Sequence, residues 1–222
     1  MSIVALPATP EDGLTLSILE NAAFESNPLG PLCFGPPTEE SVLARGKDLE
    51  GWSQAPNIKL VKAVIRSPRS NANGRSKEDK EEEEEEEEEI VGWAGWKYYL
   101  DDPETREEEK RVPPPTSPSP QAFYDFFGRP NLLMKGKRYI ALLILAVHPK
   151  HQQKGVGSLL LKAGLEDIDQ EHPSLPVWLR ATEMGYPLYL RFGFKVAEKE
   201  VVDLSKYGLE GVVSTNYTMI RG

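Results

Sequence analysis

The chain has 222 residues, 39% hydrophobic and 27% charged, enough apolar side chains for one real core. Its longest apolar run, Tyr139–Val147, has nine residues, about half of the ~18 that span a bilayer, and the start of the chain lacks the basic segment of a secretory leader, so no membrane partner is expected. The net charge of −9 is local: residues 66–89 carry net −6, residues 101–111 net −3, and the rest is neutral, which argues against a nucleic-acid footprint.

The first residues, SIVAL, read as a short strand. In TPEDGLTLSILENAAF, Thr9 is placed to cap a helix, Pro10 suits its first position and Asp12 its first turn. Leu14, Ile18 and Ala22 then fall on one face, with Leu16, Leu19 and Ala23 beside them. A weaker helix follows in TEESVLARGKDLEGW. Cys33 is the one cysteine, so no intrachain disulfide can form, and a reducing compartment, cytoplasmic or nuclear, is expected.

The alternating segment NIKLVKAVI and the segment IVGWAGWKYYL read as a hairpin whose turn has swollen into an insertion. That insertion, 66–89, ends in nine consecutive glutamates, cannot bury a face, and is read as a disordered surface loop of no consequence for folding. A second insertion, 101–120, is charged and then proline-rich, and reads as a connector. The stretch SPQAFYDFFGRPNLLMKG is helical in part, broken at Gly128-Arg129-Pro130. Next comes RYIALLILAV, apolar on both faces and therefore a central strand.

A glycine-rich turn leads from that strand into an amphipathic helix: Val156, Leu160 and Ala163 form one row, Leu161, Leu165 and Ile168 the next. The helix ends near His172-Pro173. A buried strand, LPVWLRAT, follows, then a short helix, GYPLYLRF, with Pro187 in its first turn and Gly193 at its end. Two strands, FKVAEKEVVDL and VVSTNYTMIRG, close a mixed α/β domain.

The turn Gln152-Gln153-Lys154-Gly155-Val156-Gly157 carries the chemistry. The first turn of a helix offers backbone N–H groups without intrahelical partners, and its dipole favours an anion. Glycines admit a phosphate to the backbone without an interfering Cβ, Lys154 adds positive charge, and Gln152 and Gln153 add donors. A glycine turn of this kind serves either as a phosphate or pyrophosphate cradle or as a purely steric start to a helix. The dinucleotide fingerprint fails, because Leu160 stands at its third small position and the turn follows a late strand, and no Walker loop is present. His148 and His151 flank Pro149 without further ligands nearby, so no metal site is expected.

Gln152 to Gly157 resembles the Q/R-x-x-G-x-G/A motif of the GCN5-related N-acetyltransferase (GNAT) superfamily. LAVHP is similar to the exit of that family's fourth strand, and PLYLRFGFK, Pro187 to Lys195, to its late tyrosine signature, Tyr189 standing 32 positions after Gly157. The resemblance implies one acyl-CoA N-acyltransferase fold over 1–222, with a mostly antiparallel sheet splayed between its fourth and fifth strands and helices on both faces. It implies an acetyl-CoA-dependent N-acetyltransferase in which a primary amine, on a small molecule or a protein, attacks the thioester directly. Acetyl-CoA would lie on the backbone of Leu145, Ala146 and Val147, with its pyrophosphate on Gln152, Gln153, Lys154, Gly155, Val156, Gly157 and Ser158. Tyr189 stands where the family places its thiolate-protonating tyrosine. The central strand has no carboxylate, so the base is Glu183, His148 or water, Glu183 being the nearest acidic residue; a GNAT-like acyl-CoA-binding module without turnover is the alternative. Phe24, Trp93, Trp96, Tyr98, Tyr99 and Tyr217 fall in regions where the family builds its acceptor groove, and hint at an apolar or aromatic amine.

Overall fold

The nine-residue apolar strand lies at the centre of the molecule. The structure, a computed structural model, describes residues 2–68, 86–104, 111–128 and 131–222. Its seven strands are β1 (Ser2–Pro7), β2 (Ile58–Pro68), β3 (Glu86–Tyr99), β4 (Tyr139–Val147), β5 (Val177–Thr182), β6 (Lys195–Asp203) and β7 (Val213–Arg221). They form one sheet in the order β1-β2-β3-β4-β5-β7-β6, with β4 fourth of seven, which explains why it is apolar on both sides. Among the described residues only the β4–β5 pair is parallel.

Helix α1 (Gly13–Ala23) and helix α3 (Glu39–Gln54) cover one face over β2–β4. Leu16, Leu19 and Ala23 bury against Trp93 and Ala146, and the Trp93 indole N–H donates to the Leu16 carbonyl at 3.1 Å. The other predicted row is not core: Leu14 and Ile18 are 41% and 55% exposed. Helix α1 is wedged between the sheet and α3, which covers one row and leaves the next in solvent. The expected cap is present, since the Thr9 N–H donates to the Asp12 carboxylate at 2.7 Å. Asp12 also pairs with Lys62 of β2 at 2.8 Å, tying the start of the helix to the sheet.

Helix α5 (Val156–Glu171) covers the opposite face with Val156, Leu160, Leu161, Leu165 and Ile168 buried, as its periodicity predicts. It sits very close to the sheet: a Cβ on Gly164 would stand 2.3 Å from the Trp96 indole nitrogen, so no side chain fits there. The short helix α6 (Tyr186–Arg191) follows β5 on the same face.

The two insertions depart from the sequence reading. Strand β2 runs to Pro68 and β3 begins at Glu86, so the hairpin enters both ends of the predicted 66–89 loop; residues 69–85 lie outside the described residues. In the second insertion, 101–120, the Thr116 hydroxyl donates to the Phe34 carbonyl, and the stretch after it, read as partly helical, packs on the protein. Ser119 caps helix α4 (Pro120–Phe123), which continues as one π-type turn, Tyr124–Gly128. The predicted break at 128–130 falls at the end of that turn, and residues 129–130 lie outside the described residues. A helix absent from the sequence reading, α2 (Leu29–Phe34), packs against this segment.

Candidate functional site

Strands β4 and β5 are neighbours only at their beginnings. Their register is Ile140 with Val177, Ala141 with Trp178 and Leu142 with Leu179, and there it stops. A bulge in β4 explains the parting. On the β3 side, Trp96 faces Leu142 but Gly95 faces Ile144, so Leu143 is an extra residue. The burial pattern shifts with it: Ile140 and Leu142 face α5 before the bulge, Leu145 and Val147 after it. The bulge bends β4 away from β5 and opens a gap along Leu143–Val147.

Backbone groups in that gap follow from the pairing on the other edge. The His148 N–H donates to the Val91 carbonyl of β3 at 3.0 Å. Amides alternate along a strand, so Leu145 and Val147 turn their N–H and C=O groups away from β3, into the gap. The gap therefore offers a strand edge to an extended, amide-bearing chain. The Val147 carbonyl is occupied by the Gln152 side-chain amide at 3.2 Å. Gln152 thus braces the turn from within, whereas the sequence reading gave it to the ligand. Ala146 lies on the α1 face, buried, with its backbone groups turned to β3 and not to the gap.

At the wide end of the gap the chain turns through Pro149–His151, where the His148 ring nitrogen accepts from the Lys150 N–H at 3.3 Å. Gln153 has φ 59° and Gly155 φ 87°, the left-handed region that costs a side chain. This double reversal aims the chain directly into α5. A Cβ on Gly155 would meet no atom within 4 Å, so the space beside that backbone is open. Leu159 is the first residue of α5 to donate along the helix, to the Gly155 carbonyl at 2.9 Å; Val156, Gly157 and Ser158 precede it in the first turn. Gly157 lies against Leu188 of α6 and Leu145 and Val147 of β4, so the turn, the gap and α6 form one site. An extended amide chain ending in a diphosphate fits these residues: a free strand edge leads to a helix start with left-handed glycine and no obstructing Cβ.

Tyr189, on α6, lies on the α5 face with Ala181 and Phe194, 7% exposed. Burial pushes its hydroxyl well above the ordinary phenol range, so it remains protonated at neutral pH. Glu183 is exposed in the turn between β5 and α6. The aromatic set does not converge on a groove. Trp96, Tyr98 and Tyr217 belong to the α5 face, Trp93 and Phe24 to the α1 face, and Tyr99 stacks on Tyr139 in a third cluster. Trp93 and Trp96 are fully buried, so the alternation reports core on both sides of β3.

The sequence reading missed Arg180, the first β5 residue beyond the last β4 pair. Leu179 and Ala181 face α5, so Arg180 projects to the opposite face, where it pairs with Glu200 of β6 at 2.9 Å and donates to the Phe126 carbonyl. An arginine in the apolar strand VWLRAT was the available signal.

Residues 132–209 match the acetyltransferase (GNAT) domain family. No curated protein matches the sequence. Among solved structures, a histone acetyltransferase HPA2-related acetyltransferase from Corynebacterium glutamicum is similar with a TM-score of 0.57 at 20% identity, over 100% of this chain and 96% of that one. The Arabidopsis thaliana NAA60 complex with a bisubstrate analogue is similar at TM-score 0.52 and 14% identity, over 99% and 97%. The PaiA N-acetyltransferase of Thermoplasma acidophilum, in complex with coenzyme A, is similar at TM-score 0.50 and 16% identity, over 100% and 99%. At these identities the likeness is one of fold.

Proposed function

We propose that this chain, whose residues 132–209 match the acetyltransferase (GNAT) domain family, is an acetyl-CoA-dependent N-acetyltransferase whose acceptor is a primary amine. The observation that carries the reading is the β4–β5 gap running directly into the Gly155 turn. Coenzyme A has the shape the gap asks for, an amide-bearing arm joined to a diphosphate. The arm would lie on the Leu145 and Val147 edge, and the diphosphate on the amides from Gln153 to Ser158 beside Lys154. Bound there, acetyl-CoA supplies an activated acyl group as its thioester.

The chain's own residues supply position and protons. An arm laid from the turn towards the point where β4 and β5 meet would bring its thioester to Leu143 and Leu145. A neutral amine attacks the thioester carbonyl; the N–C bond forms and the C–S bond breaks. The nitrogen gives up one proton and the sulfur takes one. Tyr189, held protonated by burial on the α6 side, is the donor to sulfur. Glu183 or water takes the proton from nitrogen; β4 holds no carboxylate for that task. We place the protein in the cytoplasm as a single domain over 1–222, with a small-molecule or protein amine as acceptor.

That missing carboxylate favours a second reading, an acyl-CoA-binding module without turnover. Release of free thiol from acetyl-CoA across a panel of primary amines separates the two. Amine-dependent release lost in Tyr189→Phe supports the enzyme; tight acetyl-CoA binding with no release above the uncatalysed rate supports the module.

A further inference from the structure

On the side of β5 opposite α5 lies a segment, 113–128, of which the sequence reading treats the first part, up to residue 120, as a connector. Residues 113–128 run across the molecule and are fastened at three places. On one side they join α2: the Thr116 hydroxyl donates to the Phe34 carbonyl at 2.8 Å, and the Phe34 ring packs on Phe123 and Phe127 with centroids 5.5 and 5.0 Å apart. The backbone is so close that a Cβ on Gly35 would stand 2.6 Å from the Thr116 carbonyl oxygen. On the other side they join the β6–β7 loop, where the Tyr207 hydroxyl donates to the Asp125 carboxylate and Leu204 packs against Phe123 and Phe126 in one apolar cluster. In the middle, Arg180 holds the Phe126 carbonyl.

The position of Arg180 gives this strap its meaning. It is the first β5 residue beyond the point where β5 leaves β4. Tyr189 approaches that point from the α5 face; the strap lies on the other. With the cofactor filling the gap and the proton donor on one face, an acceptor has the opposite face left to it. There the strap joins α2, which follows α1 on one flank, to the β6–β7 loop on the other, so that α2, the strap and the loop share a single cluster.

We infer that residues 113–128 are a specificity element, a fixed wall that ties the two flanks of the acceptor side together and limits the bulk of the amine that reaches the thioester. Arg180 is a positioning residue that seats this wall at the junction of β4 and β5. The inference rests on the proposed acetyl transfer for its chemistry, but the wall itself is open to test without any turnover.

Cys33 provides the readout. It lies in the same cluster at 0% exposure, and burial pushes its thiol up to about 11. The experiment compares wild type with the double variant Asp125→Ala, Tyr207→Phe, which releases the strap from the β6–β7 loop without emptying the core. Labelling of Cys33 by a small thiol reagent is timed, and deuterium exchange is followed over 29–34 and 204–212. Release of the wall is expected to raise the labelling rate at least about tenfold and exchange in both segments, with acetyl-CoA affinity unchanged. Where the wild type acetylates a linear alkylamine, the variant is expected to gain at least about tenfold in kcat/KM for a bulky branched amine relative to the linear one. Unchanged labelling and exchange would overturn the wall; raised labelling with an unchanged ratio of the two amines would overturn its role in specificity. If no amine reacts with the wild type, the proposed transfer fails, while labelling and exchange still judge the wall.

Discussion

The two sides of the β4–β5 gap are made from different kinds of sequence. The side proposed for the cofactor is one continuous stretch, 139–171, in which strand, bulge, turn and helix follow one another. The side proposed for the acceptor is assembled from three segments far apart in the chain, 29–34, 113–128 and 204–212, joined by an apolar cluster and a few side-chain bonds. The first is written locally, in apolar periodicity and in two residues with positive φ. The second exists only when the chain has folded. Changes on the acceptor side should therefore move stability and acceptor choice, and changes on the cofactor side should move acetyl-CoA binding and rate.

The largest separation is expected from Phe123→Ala. Phe123 is 5% exposed, and emptying its site should cost roughly 3–5 kcal/mol of stability, read by denaturant unfolding. Acetyl-CoA affinity of the folded variant should change less than about twofold, well under 1 kcal/mol. A parallel loss of affinity would erase the distinction between the sides. Next comes Tyr189→Phe, with kcat reduced about a hundredfold or more and acetyl-CoA affinity nearly unchanged, measured by steady-state kinetics and calorimetry. An undiminished kcat would reduce Tyr189 to a packing residue.

Gly155→Val is the cofactor-side counterpart. At φ 87° a β-branched side chain should cost about 1–2 kcal/mol of stability and, by re-aiming the turn's amides, weaken acetyl-CoA at least about tenfold. Thermal unfolding and a ligand titration check both numbers. A smaller effect is expected from alkaline pH. The folded state holds the Tyr189 proton more tightly than the unfolded chain does, so this contribution to stability is intact below the ordinary phenol value of about 10 and is lost only as pH rises past it. The rate profile should accordingly lack an alkaline limb from Tyr189 at lower pH; a limb near 9 that vanishes in Tyr189→Phe would contradict the burial argument. Smallest of all, replacing 69–85 by a short turn should move the melting temperature by less than about 3 °C, since lengthening a loop costs little.

What could be read from the sequence follows the same division. The central strand, the turn and α5 obey local rules, and their periodicity places them correctly. The α1 rows were harder: Leu14 and Ile18 are as apolar as Leu16 and Leu19, and only the docking of the helix on the sheet determines which pair is covered. The bulge at Leu143 has no signature in YIALLILAV, because it depends on the register with β3. The aromatics of β3 suggested a groove for the acceptor, but alternation along a strand covered on both faces gives the same spacing. Proline and charge made 101–120 resemble a linker. The bond that holds its later part runs from the Thr116 hydroxyl to the Phe34 carbonyl, and a carbonyl has no letter in the sequence.

The most direct test of the central claim is a calorimetric titration of the purified protein with acetyl-CoA, alongside Gly155→Val. The account predicts binding near micromolar, about 8 kcal/mol at 1 μM, and at least about tenfold weaker binding in the variant. Absence of binding at millimolar acetyl-CoA, or equal binding by both proteins, would contradict it.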